Sequence, residues 1–234
     1  MIFCPKFVMI KKMLMNISEN IALLAKELPA GVRMVAVSKM MSSGKILEAY
    51  RAGQRLFGEN KAQEIISKQP QLPDDICWHF IGHLQTNKVK FIVPFVEMIE
   101  SVDSVKLLKE INKEAVKCNR IINCLLQFHI ATEESKFGLD LQESEALLVH
   151  PEYNDLRNVK ICGVMGMASF SEDEYLVRKE FSGLREVFLH LKEKYFCNDE
   201  GFREISMGMT GDYRIAIEEG STIIRIGTGI FGKL

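Results

Sequence analysis

Short runs of apolar residues alternate with longer segments of helical periodicity along almost the whole chain. Eight of these runs have the length and composition of buried β-strands. They begin near Met34, Arg55, Cys77, Glu97, Ile121, Val159, Glu204 and Thr222. Because strands that alternate with helices are each reached by a crossover connection, the pattern predicts a parallel sheet.

The segments between the strands carry the apolar stripes and end signals of helices. The longest stripe, with a period of ~3.6 residues, comprises Val177, Phe181, Leu184, Phe188 and Leu191. It follows Ser171-x-x-Glu174, which matches a capping box and predicts that the helix is capped by Ser171. A later helix begins near Gly211 and is predicted to end at Gly220 in a left-handed cap.

Eight strand–helix units in about 200 residues predict an α/β fold, a single-domain (β/α)8 barrel of the TIM type. An open, doubly wound sheet is the alternative, because strand number alone does not require closure. No room remains for a helix after the eighth strand, and we expect an extra helix before the first strand to close the ring. Its apolar face comprises Ile17, Ile21, Leu24 and Leu28. We predict one barrel domain over residues 16–234, preceded by a ragged segment over residues 1–15.

The composition is that of a globular protein and argues against several classes of function. Apolar residues make up 47% and charged residues 26% of the chain, with a net charge of −1, so bulk charge favours neither nucleic acid nor a membrane surface. No apolar stretch approaches the ~20 residues of a membrane span. The six cysteines form no C-x-x-C pair and show no metal-ligand spacing. We therefore expect a protein of the reducing cytoplasm.

The final glycines of the chain spell G-x-G-x-x-G, from Gly227 to Gly232. A dinucleotide-binding turn needs a following helix and an acidic residue ~20 positions on, and the sequence offers neither. In (β/α)8 barrels, however, phosphate often binds at the loops after strands seven and eight. Those loops are SMGMTGD at residues 206–212 and Gly227-Thr228-Gly229. We predict that they form a phosphate-binding cup. The alternative is that the glycines only make tight turns.

Lys39 directly follows the first strand in the run MVAVSK. A lysine in this position is predicted to point into an enclosed barrel mouth, where the neutral amine required for Schiff-base chemistry is favoured. The alternative is that its ammonium group simply reaches solvent. A phosphate cup across the barrel from such a lysine favours a cofactor with both a phosphate and an aldehyde. Pyridoxal 5′-phosphate (PLP) has both.

Arg225 lies two residues before the predicted cup, close to the expected position of a cofactor ring. An arginine can only donate hydrogen bonds. Facing the pyridine nitrogen, it would leave that nitrogen unprotonated and the ring a poor electron sink. The alternative is an ordinary salt bridge with Glu218 or Glu219.

Six separated motifs resemble those of one protein family and occur in the same order. They are VAVSK (35–39), FGEN (57–60), WHFIGHLQTNK (78–88), SKFGL (135–139), ISMGM (205–209) and RIGTGIFG (225–232). From about residue 17 to its end, the chain resembles the pyridoxal phosphate homeostasis proteins, the YggS/PROSC group. The resemblance implies a fold like the N-terminal barrel of alanine racemase.

The resemblance also implies a set of cofactor-binding residues. Lys39 would hold PLP through a Schiff base, and Arg225 would face the ring nitrogen. The other implied contacts are Ser206, Met207, Gly208, Gly227 and Thr228 at the phosphate, with Asn60 and Met167 near the ring. Lys136 is a rival attachment point. His83 and Asn87 are placed near the barrel mouth without a role, although we expect His83 to fix a loop.

Whether the protein turns a substrate over depends on a second base. By the same resemblance, racemases of this fold take it from a tyrosine in a C-terminal β-domain. The chain ends six residues after Thr228, so we expect that domain to be absent, and among the tyrosines only Tyr213 could approach the site. The main hypothesis is an intracellular PLP-binding protein of cofactor homeostasis and delivery, without strong catalysis of its own.

Two other functions are compatible with the same residues. One is a small PLP-dependent amino-acid racemase. The other is a phosphate-binding barrel enzyme that uses Lys39 without a cofactor. Apo forms of PLP enzymes are candidate recipients of the cofactor, and a monomer is expected because the sequence shows no apolar stripe on the outside of the barrel.

Overall fold

The structure is a computed structural model and describes residues 16–132 and 137–232. The predicted ragged segment over residues 1–15 therefore lies outside the described residues, and so does Lys136. No helix in the described ranges is long and apolar enough to cross a membrane.

Eight parallel strands form a closed barrel in sequential order, with each strand paired to the next and β8 paired to β1. The strands are β1 (Arg33–Val37), β2 (Leu56–Glu59), β3 (Cys77–Phe80), β4 (Val96–Val102), β5 (Ile122–Phe128), β6 (Val159–Gly166), β7 (Glu204–Ser206) and β8 (Ile223–Ile226). The predicted (β/α)8 barrel is confirmed, and the open doubly wound sheet is excluded by the pairing of β1 with β8.

Helices connect the strands on the outside of the barrel. They are α1 (Ile17–Glu27), α2 (Ser43–Arg51), α3 (Ala62–Lys68), α4 (Thr86–Ile92), α5 (Val105–Lys117), α6 (Leu141–Leu148), α7 (Glu174–Tyr195), α8 (Tyr213–Glu218) and α9 (Thr228–Phe231). Short 3-10 helices follow α3 at Gln69–Gln71 and precede β6 at Pro151–Asp155.

The extra helix before the first strand forms as predicted and packs where the barrel closes. Asn16 and Glu19 make a capping box at the start of α1. The helix buries Ile17, Ile21 and Leu24. Its Asn20 side chain donates a hydrogen bond of 2.9 Å to the carbonyl oxygen of Ile230 in α9. The first and last helices of the described chain are therefore joined beside the β8–β1 seam.

The ends of two helices test the sequence signals. Gly220 follows α8 with φ of +100°, the left-handed conformation predicted for it. The prediction of a capping box at Ser171 is wrong, because α7 begins at Glu174 and Asp173 is its cap. The Asp173 carboxylate accepts hydrogen bonds from the N–H groups of Tyr175 and Leu176 at 3.0 and 3.3 Å. Ser171 instead accepts a hydrogen bond from the N–H group of Asp173.

The core has two layers, because successive strand residues point to opposite faces. One layer fills the barrel interior and comprises Val35, Met98, Leu125, Cys162, Met165 and Ile223. The other lies between the barrel and its helices and includes Phe57, Phe80, Ile99, Leu108 and Phe181. The two-residue period then continues the inward face of β1 from Val35 through Val37 to Lys39. The fold thus puts Lys39 at the carboxyl end of the barrel.

Gly163 in β6 provides a test of the barrel packing. Its φ is +153°, and a Cβ there would lie 1.8 Å from the carbonyl oxygen of Glu204 in β7. Gly163→Ala should therefore cost about 3 kcal/mol or more, which lowers the Tm of a chain this size by roughly 6–12 °C. Thermal unfolding followed by circular dichroism measures it.

Gly183 in α7 supplies the control. A Cβ at this position meets nothing within 4 Å, and alanine is a better helix former than glycine by roughly 0.5–1 kcal/mol. Gly183→Ala should raise the Tm or leave it unchanged. A Gly163→Ala variant as stable as the wild type would contradict the strand pairing described for β6 and β7.

Candidate functional site

Lys39 and Asn60 lie side by side at the carboxyl ends of two neighbouring strands. Val37 pairs with Gly58 across β1 and β2, so the next inward positions on these strands are Lys39 and Asn60. A Cβ on Gly58 would lie 2.7 Å from Val35 Cγ1, so the space beneath them has no room for a larger residue. Lys39 is exposed. The predicted enclosure of this lysine is therefore wrong, and its side chain is open to solvent.

Asn60 is half-buried and carries an unsatisfied polar atom. Its Oδ1 is inaccessible to solvent and has no hydrogen-bond partner within the described ranges. The residue also lines a cavity of about 170 Å³ together with Lys61, His83 and Lys88. Burial of an unpaired carbonyl oxygen costs free energy, so this atom marks Asn60 as a position where a ligand would supply the missing donor.

The loops after β7 and β8 meet beside Lys39. Ile226 pairs with Ala36 across β8 and β1, and a Cβ on Gly227 would lie 3.6 Å from Val37 Cβ. Thr228 is exposed at the start of α9. The structure therefore brings Gly227 and Thr228 to the same edge of the barrel as Lys39.

Thr210 joins the two loops. The N–H group of Gly229 donates a hydrogen bond of 3.2 Å to Thr210 Oγ1. Gly208 belongs to the same loop and has φ of +94°, and a Cβ there would lie only 2.5 Å from Ala216 Cβ. Hydroxyl groups and main-chain N–H groups at a helix start are suited to an anion. Thr210 was not singled out from the sequence, although it stands in the loop that was.

Ser206 and Met207 already have partners within the barrel. The Ser206 hydroxyl is fully buried and donates a hydrogen bond of 2.6 Å to Glu100 Oε2. The Met207 side chain belongs to the outer core layer. Its N–H group donates to the carbonyl oxygen of Ile223 at 3.1 Å, so it is occupied by the barrel itself. Both residues were predicted phosphate contacts, and that role stays a prediction.

Arg225 lies inside the barrel, beneath the cup. It is only 3% exposed. Its Nη1 donates to Ser206 Oγ at 2.6 Å and its Nη2 to the carbonyl oxygen of Gly166 at 2.8 Å. The alternative of a salt bridge with Glu218 or Glu219 is wrong, since both of these carboxylates pair with Arg178 at 2.6 Å.

A buried histidine and glutamate complete the interior network. His79 Nδ1 and Glu100 Oε1 are 2.5 Å apart, and Arg225 Nη1 lies 3.9 Å from Glu100 Oε2. A chain of contacts thus runs from His79 through Glu100 and Ser206 to Arg225. Sequence reasoning missed His79 and Glu100. The available signal was a charged or polar residue in the middle of the apolar runs CWHFIG and EMIES.

The charges of this network depend on each other. Burial opposes ionisation of Glu100, but His79, Arg225 and Ser206 together hold the pKa of its carboxyl below the usual range. Burial lowers the pKa of Arg225, while Glu100 and Asp212 oppose that shift. Arginine remains charged at neutral pH. The Glu100 carboxylate balances the charge of this buried guanidinium from a distance of 3.9 Å.

The remaining predicted residues lie around the mouth. Met167 follows β6, is half-buried and packs against the interior core layer. His83 is exposed, stacks on Phe137 with ring centroids 4.1 Å apart, and approaches Asp103 at 3.5 Å. The expected loop-fixing contact of His83 is consistent with this geometry. Asn87 is exposed beside it and lines a cavity of about 330 Å³.

Comparison with known proteins shows the family to which this chain belongs. The family model described as the alanine racemase N-terminal domain matches residues 13–234. The chain belongs to that family. Its relatives include the pyridoxal phosphate homeostasis protein of Aquifex aeolicus, 39% identical over 203 residues that make up 86% of each chain. The protein of the same name from Bos taurus is 38% identical and covers 93% of this chain and 83% of its own. The resemblance inferred from the motifs is confirmed.

Solved structures agree with this assignment. PipY of Synechococcus elongatus, solved with PLP bound, is 36% identical and covers 93% of this chain and 100% of its own, with a TM-score of 0.83. Alanine racemase of Bartonella henselae, with covalently bound PLP, is 17% identical and covers 62% of its own chain, with a TM-score of 0.69. The likeness to that racemase shows a common fold only.

Glu100→Gln tests the interior network. The substitution leaves the buried Arg225 without its carboxylate, and breaking a buried ion pair from one side costs about 3 kcal/mol or more. We expect a clearly lower Tm at pH 7. Glu152→Gln removes the exposed pair with Lys109 and should change the Tm little.

The pH dependence of the Tm distinguishes an effect of the Glu100 charge from an effect of its shape. A carboxyl with a depressed folded-state pKa stabilises the protein above its unfolded pKa, about 4.3. That stabilisation is lost as the pH falls through the folded pKa. The Tm difference between wild type and Glu100→Gln should therefore be full at pH 7 and shrink below about pH 4. A difference that stays constant over this range would mean that the carboxylate charge is unimportant.

Proposed function

We propose that this protein binds PLP at the carboxyl-terminal mouth of its barrel, holds it covalently through Lys39, and takes part in the homeostasis and delivery of that cofactor. The observation that carries the proposal is the meeting of three groups at one edge of the barrel. These are Lys39, the loops joined by Thr210 and Gly229, and the buried Arg225 beneath them. When bound, PLP supplies an aldehyde that condenses with an amine.

The residues present fit both ends of this cofactor. The hydroxyl groups of Thr210 and of Thr228, which lies at the start of α9, suit a phosphate. At the ring end, Asn60 offers the buried amide oxygen that has no partner among the described residues. Gly208 and Gly227 keep side chains out of the space beside the loops. Met167 supplies an apolar contact from β6, next to the interior core layer.

Arg225 favours binding of the cofactor without catalysis. Of its N–H groups, two donate to Ser206 and Gly166, and the remaining ones can donate to a ring nitrogen. Because a guanidinium does not give up its proton, Arg225 would leave that nitrogen unprotonated. A ring without this proton is a weak electron sink, which disfavours carbanion chemistry.

Tyr213 gives no support to the racemase alternative. Its hydroxyl group donates to Glu27 Oε2 at 2.5 Å and is therefore engaged with α1. Burial, together with the hydrogen bond to Glu27, raises the pKa of Tyr213 to about 12. Such a phenol is a poor base at neutral pH. The names of the relatives, which are homeostasis proteins, support the same conclusion.

Delivery to apo forms of PLP enzymes is the further part of the proposal. Lys39 is open to solvent, so a held cofactor could be exchanged without opening the barrel. Exposed apolar side chains follow the strands around the same mouth: Met40, Phe137, Phe170 and Met209. Exposed apolar side chains gathered at one face are typical of protein contact sites. We infer that a monomer serves this role in the cytoplasm, where the free thiols of the described cysteines are stable.

The test is covalent trapping of PLP on the purified protein. We expect a visible absorbance band of a lysine Schiff base, which borohydride fixes onto Lys39 as located by peptide mapping. Lys39→Ala should bind PLP at least about tenfold more weakly, which corresponds to about 1.4 kcal/mol. Lys45→Ala, an exposed lysine in the next helix, is the control and should bind as the wild type does.

Three outcomes would contradict parts of the proposal. Absence of any band after addition of PLP would leave a phosphate-binding barrel without this cofactor. Label found on Lys136 in the wild type would move the attachment point. Turnover of a free amino acid by the loaded protein, at rates on the order of 1 per second or faster as ordinary enzymes reach, would favour the racemase.

A further inference from the structure

A buried ammonium group lies on the outer side of the barrel, next to the segment that carries Lys39. Lys68 is the last residue of α3 and only 8% exposed. Its Nζ contacts three oxygens: the carbonyl oxygen of Ser38 at 3.0 Å, Glu59 Oε1 at 2.7 Å and Glu64 Oε2 at 2.8 Å. An ammonium group has three donors, so these acceptors satisfy it completely.

The side chains of Lys68, Glu59 and Glu64 hold both neighbours of Lys39. On one side, the Ser38 hydroxyl group donates to Glu59 Oε1 at 2.7 Å, while its carbonyl oxygen accepts from Lys68. On the other side, the N–H group of Met40 donates to Glu64 Oε2 at 2.7 Å. The main chain before and after Lys39 is thus tied to β2 and α3 by charge-assisted hydrogen bonds, the stronger kind.

The backbone at this turn requires such support. Met40 has φ of +62°, a left-handed conformation that residues with a side chain rarely adopt. Conformations of this kind persist where the surroundings fix them. In the described ranges only Met40 and Asn119 are non-glycine residues with positive φ, and Met40 is the one that adjoins the site.

We propose that Lys68 and Glu64 are positioning residues for Lys39: by fixing Ser38 and Met40, they hold the base of the Lys39 side chain at the barrel mouth in the orientation needed to bind PLP. This inference rests on the proposed function. Neither side chain belongs to the cup, so they act through the backbone and not by touching the cofactor. A long, exposed side chain gains orientation chiefly from its fixed base, and pre-organisation of this kind contributes affinity.

The charges of the cluster decide which substitutions are informative. Burial raises the pKa of Glu59, although Lys68 and Ser38 lower it. Burial opposes ionisation of Glu64, but Lys68 and the Met40 N–H group hold its pKa below the usual range. Removing Lys68 would leave two carboxylates without a cation and could prevent folding. Glu64 variants are therefore decisive, because they keep the buried pair of Lys68 with Glu59.

The experiment compares Glu64→Ala with Glu64→Gln. Alanine removes the acceptor of the Met40 N–H group, whereas glutamine keeps a neutral acceptor of the same shape. Glu114→Ala is the control, since Glu114 is a carboxylate that pairs with Lys117 in α5 at 2.6 Å, on a helix that does not carry the site. The Tm, the PLP dissociation constant and hydrogen exchange of the peptide covering residues 38–41 are measured on each protein.

We expect Glu64→Ala to bind PLP about tenfold more weakly, the order expected when a charge-assisted contact that orders a loop is lost. Exchange at residues 38–41 should be faster than in wild type without PLP present. Glu64→Gln should restore much of both properties. Glu114→Ala should change neither, even where its Tm falls as far as that of Glu64→Ala.

Unchanged PLP affinity and unchanged exchange in Glu64→Ala would overturn the positioning role. Loss of PLP affinity in proportion to Tm alone, in the Glu64 and Glu114 variants equally, would overturn it as well. Failure of the proposed function has a different signature. Wild-type protein would then form no Schiff base at Lys39, while exchange in the absence of PLP would still report whether Glu64 fixes the turn.

Discussion

A guanidinium group buried at the centre of the barrel must have acceptors, and much of the interior follows from this requirement. Arg225 obtains them from Ser206 at the end of β7 and from the carbonyl oxygen of Gly166 at the end of β6, with Glu100 of β4 behind Ser206. A charge with fewer partners would be too costly to bury. The interior of this barrel therefore combines a packed apolar layer with a polar network. The mouth is built on that network.

The sequence predicted those parts of the structure that depend on local pattern. Alternating strands and helices indicate a parallel α/β fold, and strand-end glycines indicate loops at its carboxyl face. Lys39 and Arg225 stood out because each is a charged residue at or near the end of an apolar strand. Their places in the structure agree with the two-residue period, which puts Lys39 in line with Val35 and Val37 and Arg225 in line with Ile223.

Other features depended on contacts between distant strands, which a single sequence does not contain. Ser206 looked like a phosphate ligand because it opens the loop after β7. Its hydroxyl is used by Glu100, which is 106 residues away in the chain. The exposure of Lys39 is also a tertiary property, set by how far the neighbouring loops rise around it. At α7, the capping box predicted at Ser171 does not form, and Asp173 caps the helix instead.

Two ionic clusters on opposite sides of the β-sheet each fix a group near the mouth of the barrel. The interior cluster of Glu100 and Arg225 fixes a donor beneath the mouth, and the exterior cluster of Lys68, Glu59 and Glu64 fixes the turn that carries Lys39. Each joins residues from separate elements, so each constrains position more strongly than one helix or strand could. In the proposed function this division has a consequence: one cluster would govern how the ring is held, and the other how readily the amine reaches the aldehyde. In the proposed function, the placement of the two clusters on different faces of the sheet would let these two properties change separately.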